Sequence, residues 1–463
     1  MKQDLSLRQG RREERAEGTS SLGVAIVTGV LNGYLGPVGI RLWDNRLAAG
    51  SPNSKCIVVF RKPWVLRDLV LYRDLTRLAE AYLIGAVEVE GDLEALFDLD
   101  SYLTQLRMPV LDRLRLGLCA LQLPGRSNRR SGNWANRRAT RRANSRASIA
   151  HHYDMGNDFY GLWLDPEYVY SCAYFRHPDQ SLAEAQQEKL DYICRKLRLT
   201  PGQSVLDIGC GWGALALWAA RHYGVCVHGI TLSARQYEFA AERVKNAGLA
   251  EKIEIELMDY RELDNGERYD RIVSIGMFEH VGVRNFGRYF ETVLERLKPG
   301  GLFLNHGITS STDWRRTPLT GFINRYIFPD GELARLSVVT DAMEQSGFEL
   351  LDIESLRPHY ALTLRQWVSA LEKNHKAAID MTSAATYKLW RLYMAGSAHY
   401  FWVGSIGVYQ VLAGCARSPL WVPLRREDLF AAREFCLTSA LNESDGYQEM
   451  IGAGRVVFSA ALT

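Results

Sequence analysis

The sequence lacks closely spaced cysteines. Its eight cysteines are scattered over 463 residues, with no C-x-x-C pair and no cluster of histidine and cysteine at metal-ligand spacing. Scattered thiols of this kind are typical of a reducing compartment, and they offer no structural zinc site. We therefore expect a protein of a reducing compartment that holds no metal.

Long apolar runs are also missing. The first twenty residues are charged and lack the apolar core of a signal peptide, so we expect a disordered tail at residues 1–20. Residues 21–40 carry no charge, but five glycines, one proline and three polar residues interrupt them. Because a membrane span needs ~20 mainly apolar residues, we expect packed or loop structure there, and a cytoplasmic protein.

A strong overall charge is absent as well. The net charge is +3, with 47% apolar and 24% charged residues, which is ordinary for a globular protein. The basic character is local, because residues 127–146 contain seven arginines, one tryptophan and no acidic residue. A nucleic-acid-binding domain usually carries a basic face throughout, whereas a single basic segment fits lipid headgroups equally well.

The chain divides into a short α+β segment, a basic linker and a longer α/β segment. Apolar runs such as "CIVVF" beside amphipathic helical patterns predict a small α+β domain. Beyond residue 150, strands alternate with helices, which predicts a doubly wound, mostly parallel sheet. After Ser337 we expect one further helix and strand, then an aromatic-rich helical region through Leu412. The predicted segments are a tail (1–20), an N-terminal domain (21–124), an arginine-rich linker (125–149), a catalytic domain (150–424) and a C-terminal tail of unknown role (425–463).

A glycine-rich turn follows the first strand of the α/β segment. In "VLDIGCGWG", Asp207, Gly209 and Gly211 stand between an apolar strand and a helix, where glycine lets the backbone approach a ligand. A dinucleotide fold would have G-x-G-x-x-G and an acid about twenty residues further on. Here the next strand ends in Thr231 and Gln236 follows, so hydroxyl and amide groups are available to a ribose. The turn resembles the first motif of class I S-adenosylmethionine-dependent methyltransferases.

Longer motifs resemble one family. The segments "HYDMGNDFYGLWLDPEYVYSCAYF", "GITLSARQ", "RIVSIGMFEHVG", "FINRYIFPDGEL" and "SLRPHYALTLRQW" follow one another in the α/β segment. Together they resemble cyclopropane-fatty-acyl-phospholipid synthases and mycolic acid cyclopropane synthases, and "LAEAYLIGAVEVEGDLEAL" resembles the accessory lipid-binding domain of bacterial members. The resemblance implies an α/β fold of the class I methyltransferase type, a Rossmann-like doubly wound sheet, preceded by a small α+β lipid-binding domain.

The resemblance also implies an activity. Members of this family transfer a methyl group from S-adenosylmethionine to the cis double bond of an unsaturated acyl chain in a membrane phospholipid. Bound bicarbonate then takes a proton from the carbocation as the cyclopropane ring closes. The residues implied around bicarbonate are Cys172, Glu279, His280, His306, Ile308 and Tyr360. The residues implied for S-adenosylmethionine are Tyr170, Ser171, Asp207, Gly209, Gly211, Thr231, Gln236, Asp259 and Tyr260.

Several of these residues also fit ordinary structural roles. Cys172 lies among aromatic residues and could be a core cysteine, Tyr360 could be an aromatic at a helix start, and Asp259 could be a solvated strand end. Function is favoured for Glu279, because an unpaired carboxylate after a buried strand is costly and polar groups at such strand ends usually face a ligand crevice. Around His306, "NHGI" departs from the commoner "LHTI" of the family.

The arginine-rich linker has three alternative explanations. An enzyme acting on acyl chains within a bilayer must work at the membrane surface, and each arginine near an anionic leaflet contributes about 1 kcal/mol. We therefore favour peripheral attachment to anionic lipids on the inner face of the membrane over an inert linker, and we expect no nucleic-acid binding. The oligomeric state stays open, with a homodimer as one alternative.

The motifs leave other functions open. A related C-methyltransferase acting on acyl chains would give a branched or methylene product from the same carbocation. Small-molecule amine N-methyltransferases resemble the catalytic segment and share "FEH", but the lipid-type N-terminal segment and "RPHY" argue against them. A lipid-binding protein without activity would be favoured by a broken cofactor turn, whereas the turn here is intact.

Overall fold

The computed structural model describes residues 17–126, 156–264, 266–312, 321–322, 326–327, 332–419 and 422–430. The chain as far as Val422 forms one compact unit. A second, small unit starts at Pro423, and its described part contains a short 3₁₀ helix, Glu427–Leu429. Most of the predicted linker and tails, residues 1–16, 127–149 and 431–463, lie outside the described residues.

The N-terminal segment contains a four-stranded sheet and five helices among the described residues. The sheet order is β2-β1-β3-β4, with β1 and β3 parallel and the other pairs antiparallel. Residues 17–30 form a helix, so part of the predicted tail and of the predicted packed or loop stretch is helical. The elements are β1 (Val38–Arg41), β2 (Leu47–Ala49), β3 (Cys56–Phe60), β4 (Val87–Gly91), α1 (17–30), α2 (Pro63–Tyr72), α3 (Leu75–Leu83), α4 (Leu96–Gln105) and α5 (Val110–Gln122).

The longer segment forms a seven-stranded sheet of the predicted doubly wound kind. Its order is β7-β6-β5-β8-β9-β11-β10, and all neighbours are parallel except those of β11. The strands are β5 (Ser204–Ile208), β6 (Cys226–Thr231), β7 (Ile253–Leu257), β8 (Tyr269–Ile275), β9 (Leu297–Ser310), β10 (Phe348–Ser355) and β11 (Ile406–Cys415).

Helices cover the seven-stranded sheet and extend from one edge of it. Their bounds are α6 (Asn157–Gly161), α7 (Leu182–Lys196), α8 (Ala214–Tyr223), α9 (Ala234–Asn246), α10 (Phe286–Arg296), α11 (Leu336–Gln345), α12 (Arg357–Lys373), α13 (His375–Met381) and α14 (Ala384–Val403). Among the described helices, none combines the length and the apolar composition that crossing a bilayer requires.

The predicted helical region through Leu412 is wrong at its end. Helix α14 stops at Val403, where Gly404 adopts a left-handed φ of 83°, and β11 begins at Ile406. Most of β11 is buried, because Leu412 packs in one hydrophobic core while Val411 and Ala413 pack in another, so its sequence does not alternate between apolar and polar residues. A short apolar run of this kind cannot be told from a buried helix by periodicity alone.

The N-terminal segment packs against the helices that follow the catalytic sheet. A single hydrophobic core includes residues of β3 and α4 together with residues of α6, α12 and α14. Ion pairs cross the same boundary: Arg365 of α12 donates to both carboxylate oxygens of Glu94 at 2.7 and 2.8 Å, and Lys388 of α14 donates to Glu88 at 2.6 Å. These contacts fix α12 and α14 relative to the smaller sheet.

Strand β9 contains a glycine where the sheet packs against an aromatic ring. A Cβ atom placed on Gly307 would lie 1.7 Å from Cε1 of Phe278, which follows β8. Gly307 stands where the commoner family pattern "LHTI" has threonine, and its missing side chain leaves room for the ring of Phe278. Side chains alternate along a strand, so His306 and Ile308 point to the opposite face from position 307.

Gly307→Ala is expected to destabilise the fold by about 1–3 kcal/mol, because the added methyl group must displace a buried ring. Gly287→Ala, in α10, is the matched control: nothing lies within 4 Å of its added Cβ atom. Urea denaturation of both variants would measure the difference. Equal stability of Gly307→Ala and the wild type would contradict the packing described.

Candidate active site

A cavity of about 1280 Å³ lies at the carboxyl ends of β5, β6, β7 and β8. Ligand sites of open α/β sheets lie at this edge. The structure brings all nine residues predicted for the cofactor into its wall, together with His280. The nine are Tyr170, Ser171, Asp207, Gly209, Gly211, Thr231, Gln236, Asp259 and Tyr260.

The glycine-rich turn has the backbone that its sequence predicts. Gly209 and Gly211 have φ values of 84° and 57°, in the left-handed region that other residues rarely adopt. Helix α8 starts just beyond them at Ala214, so its first backbone N–H groups are near the cavity. Asp207 is buried beneath the turn, and desolvation raises its pKa to about 7 although the charge of Lys189 opposes the shift.

The residues predicted for the ribose contact one another. Thr231 donates its hydroxyl hydrogen to Oε1 of Gln236 at 2.9 Å, and both side chains are buried. Ser233 caps α9 by accepting from the backbone N–H of Gln236. This arrangement orients an amide and a hydroxyl at the end of β6.

Asp259 has a partner that the sequence did not reveal. Its carboxylate accepts three N–H groups of Arg261, including Nε at 2.9 Å and Nη2 at 2.5 Å. Asp259 therefore presents a paired carboxylate to the cavity and keeps few lone pairs for an adenine amino group. Beside it, Tyr260 packs edge-on against Tyr289 at 5.2 Å between ring centroids.

Lys189 is a cavity residue that sequence reasoning missed. Its side chain is 1% exposed, and Nζ donates to Oγ of Ser171 at 3.1 Å. Desolvation lowers its pKa to about 8, although Asp165 and Asp207 raise it. Its position in the sequence could have indicated burial. Lys189 is four residues from both Ala185 and Ile193, so it lies on the buried face of α7.

A strained turn carries Tyr170 and Ser171 to the cavity. Asp165 holds this turn, because its two carboxylate oxygens accept the backbone N–H groups of Val169 at 2.8 Å and Glu167 at 3.0 Å. Within the turn, Tyr168 has a φ of 58°, which is unusual for a residue other than glycine. Strain of this kind persists only where surrounding contacts maintain it.

Glu279 and Ile308 meet behind the cavity wall. The backbone N–H of Ile308 donates to Oε1 of Glu279 at 2.7 Å. The carboxyl group is buried, and desolvation raises its pKa to about 7. Its Oε2 atom has no hydrogen-bond partner among the residues that the structure describes.

His306 is neutral and also incompletely paired. Burial and the positive charges of Lys189 and Lys196 lower its pKa to about 3. Its Nδ1 lies 3.3 Å from Nε2 of Gln410, whereas its Nε2 has no partner within the described part of the protein. Neutral His306 can therefore present one ring nitrogen to a ligand.

Cys172 and Tyr360 meet at the start of α12. The Cys172 thiol donates to the carbonyl of Leu356 at 3.7 Å, and the Tyr360 backbone N–H donates to the same carbonyl at 3.1 Å. Leu356 in turn donates its N–H to Val408 of β11, which lies opposite Ile308. Burial raises the pKa of Cys172, so the thiol is protonated.

The six residues predicted around bicarbonate therefore divide into two groups. His280 lines the large cavity, and the other five described residues do not. Their neighbours in sequence do, since Ser171 precedes Cys172 and Met277 lies two residues before Glu279. Through these neighbours the second group, made of the five residues outside the cavity, adjoins the cavity wall.

Buried aromatic rings pack around Tyr170, which lines the cavity. The ring of Tyr170 lies 5.7 Å from Tyr160, 5.4 Å from Trp163 and 5.3 Å from Trp367. Trp390 of α14 packs on the same rings. Faces of aromatic rings attract cations, so this cluster can stabilise positive charge while excluding water.

The strand order, the glycine-rich turn and the cavity beyond it define a class I S-adenosylmethionine-dependent methyltransferase. The family model described as "Mycolic acid cyclopropane synthetase" matches residues 140–411. The chain therefore belongs to the mycolic acid cyclopropane synthetase family, which confirms the family predicted from its motifs.

Individual relatives agree with this assignment. A "Probable fatty acid methyltransferase" of Pseudomonas putida is 40% identical over 400 residues, covering 85% of this chain and 96% of the relative. The cyclopropane-fatty-acyl-phospholipid synthase of Escherichia coli strain K12 is 41% identical over 56% of this chain and 66% of its own length. The solved cyclopropane synthase MmaA2 of Mycobacterium tuberculosis superposes with a TM-score of 0.56 at 37% identity, covering 58% of this chain and 98% of that protein.

Lys189→Met is expected to weaken binding of S-adenosylhomocysteine about tenfold or more, because the buried ammonium group next to Ser171 is lost. The matched control is Lys196→Met, on the same helix. Lys196 is equally buried but pairs with Asp352 and Glu354 instead of the cavity. Calorimetric titration should show weaker binding for Lys189→Met alone, even if both variants lose stability. Unchanged affinity would assign Lys189 a purely structural role.

Proposed function

We propose that the protein transfers a methylene unit from S-adenosylmethionine to the cis double bond of an unsaturated acyl chain in a membrane phospholipid, forming a cyclopropane ring. The observation that carries this proposal is the buried Glu279, with one carboxylate oxygen bound by Ile308 and the other unpaired among the described residues, next to the cofactor cavity. Methyl transfer to an amine also releases a proton, so Glu279 indicates a transfer that needs a base, and the cyclopropane synthetase family of the chain favours carbon as the acceptor. Closing a ring on carbon requires a base.

The cavity fits S-adenosylmethionine. The positive-φ glycines and the start of α8 suit the methionine part, and the paired Thr231 and Gln236 suit the ribose hydroxyl groups. Asp259 and Tyr260 would lie near the adenine, and Tyr170 and Ser171 also line the cavity. When bound, this cofactor supplies a methyl group on a sulfonium sulfur, which the alkene attacks.

The second group of residues fits bicarbonate. Oε2 of Glu279 can accept an O–H group, and Nε2 of neutral His306 can donate to an oxygen atom. Cys172, Ile308, Tyr360 and His280 would complete the surroundings. When bound, bicarbonate supplies the base that takes a proton from the methyl group as the ring closes. The protonated Cys172 thiol suits this role, because a thiolate would attack a carbocation.

The aromatic cluster suits the reacting part of the acyl chain. Rings around Tyr170 provide apolar contact for the alkene and electrostatic attraction for the carbocation that follows. They offer few nucleophiles, and they exclude water that would otherwise capture the cation. Peripheral attachment to anionic lipids, helped by the arginine-rich linker, would bring this cluster to a bilayer.

A second candidate function has a specific observation in its favour. The Pseudomonas putida relative, which this chain matches over 96% of that protein's length, has the name of a fatty acid methyltransferase. Methylation of the same alkene without ring closure would give a branched or methylene product. The amine N-methyltransferase alternative has weaker support, because the solved coclaurine N-methyltransferase is 22% identical and shows the fold alone.

Product analysis separates these functions. Purified protein would be incubated with S-adenosylmethionine and vesicles of cis-unsaturated phospholipid, and the acyl chains would be analysed by mass spectrometry. We expect a gain of one CH2 per modified chain that survives hydrogenation, since a ring has no double bond to reduce. A methylene group or a branched alkene, either of which hydrogenation would reduce, would support the second function, and an unmodified lipid would contradict both.

Glu279→Gln is expected to lower turnover at least about a hundredfold, because with its oxygen bound by Ile308 the amide presents an N–H donor in place of the accepting carboxylate oxygen. S-adenosylhomocysteine affinity should stay within about twofold, since Glu279 lies outside the cofactor cavity. Glu332→Gln is the matched control, because Glu332 is a carboxylate in the cavity wall. Normal turnover by Glu279→Gln would remove this residue from the proposed mechanism.

The pH dependence of turnover should report the same carboxyl group. Because burial raises the pKa of Glu279 to about 7, its carboxylate forms as pH rises through about 7. Activity should therefore fall as pH decreases through that value, and Glu279→Gln should lack this limb. Rates would be measured from about pH 5.5 to about pH 8.5, with the bicarbonate concentration held constant at each pH. A wild-type profile without that limb would contradict the assigned ionisation.

A further inference from the structure

Helix α5 presents a row of apolar side chains to solvent. Val110, Leu111, Leu114, Leu118 and Leu121 are 58–70% exposed. With about 3.6 residues per turn, they form a continuous stripe roughly 100° wide along one side of the helix. We call this stripe the α5 leucine face.

The opposite side of α5 is already in use. Ala120 is buried, and Leu116 and Cys119 pack against the same hydrophobic core. A Cβ atom added to Gly29 of α1 would lie 2.9 Å from Leu116. The helix is therefore held in place by one face and leaves the other uncovered by any described residue.

Arginines border the α5 leucine face on both sides. In helical projection Arg113 and Arg115 fall beyond its opposite edges, and both are exposed. The side chain of Arg115 is 80% exposed, and its nearest carboxylate oxygen, on Asp112, is 3.9 Å away. From Arg107 to Arg146 the sequence has eleven arginines and one acidic residue, although the whole chain has a net charge of +3.

We propose that the α5 leucine face docks on the surface of an anionic phospholipid bilayer. This inference rests on the proposed function, because it supplies the surface by which the enzyme reaches a membrane lipid. Apolar residues between flanking arginines match the boundary of a bilayer, with acyl chains below and phosphate groups at the sides. A second copy matches less well, since a two-fold pairing of this face would bring arginine-bordered stripes together.

The test compares vesicle binding of two double variants. Leu114→Ser/Leu118→Ser removes the centre of the face, and both positions are exposed enough to leave the fold intact. Val338→Ser/Met381→Ser, at exposed apolar sites on α11 and α13, is the matched control. With vesicles containing phosphatidylglycerol, the α5 variant should bind at least about tenfold more weakly. The control should bind like the wild type.

A charge series tests the arginines separately. Arg113→Gln/Arg115→Gln should weaken binding to phosphatidylglycerol vesicles and reduce its dependence on salt. The control is Arg221→Gln/Lys245→Gln, at exposed positions near the carboxyl ends of α8 and α9. Those ends are remote from the cofactor cavity, which faces the start of α8. An equal loss of vesicle binding in the two double variants would overturn a specific role for α5.

Activity on detergent-dispersed substrate distinguishes the two proposals. The α5 leucine variant should keep normal turnover on acyl lipid in mixed micelles while losing turnover on vesicles. Wild-type binding by that variant would overturn the docking surface and leave the proposed function standing. Loss of binding with no turnover on any acyl lipid, even by the wild type, would support the surface and overturn the proposed function. A dimer in solution that the α5 change dissociates would overturn the bilayer in favour of a second copy.

Discussion

The hydrogen bond from the backbone of Ile308 to Glu279 is the interaction on which the second half of the site depends. Strands β8 and β9 are parallel neighbours, with Ile275 opposite His306, so the residues that follow β8 meet the last part of β9. One carboxylate oxygen of Glu279 is fixed by this bond at 2.7 Å, and the other is left without a partner among the described residues. A buried carboxyl group in this state is costly to fold. Its cost is tolerable where a ligand completes the set of hydrogen bonds.

That interaction requires β9 to continue past the edge of the cavity, and β11 keeps it extended. Nine pairs of residues join β9 to β11, from Leu302 as far as Ser310. Strand β11 also binds the start of α12, so Cys172 and Tyr360 are positioned through it. Helices α12 and α14 are fixed in turn by the N-terminal segment through its shared core and ion pairs. The N-terminal segment thus contributes to the site by supporting the helices that carry its aromatic rings.

The sequence predicted those parts of the structure in which local pattern and fold coincide. The glycine-rich turn is an example, because Gly209 and Gly211 are needed for a backbone that few other residues adopt. Strand β11 was missed because burial on both faces removes the alternation that identifies a strand. The pairing of Asp259 with Arg261 and the burial of Lys189 were missed for another reason. Whether a charged side chain is paired or exposed depends on the three-dimensional packing around it, which a local pattern does not record.

The charges of the site differ between its two sides. Burial lowers the pKa of His306 and keeps the ring neutral, and the charges of Lys189 and Lys196 lower that pKa further. The positive charge of these two lysines favours an anion such as the proposed bicarbonate near His306. It would oppose a carbocation at the same point, whereas the rings around Tyr170 attract one. The site therefore favours an anion near the strand ends and a cation among the aromatic rings, an arrangement that suits a base acting on a newly formed carbocation.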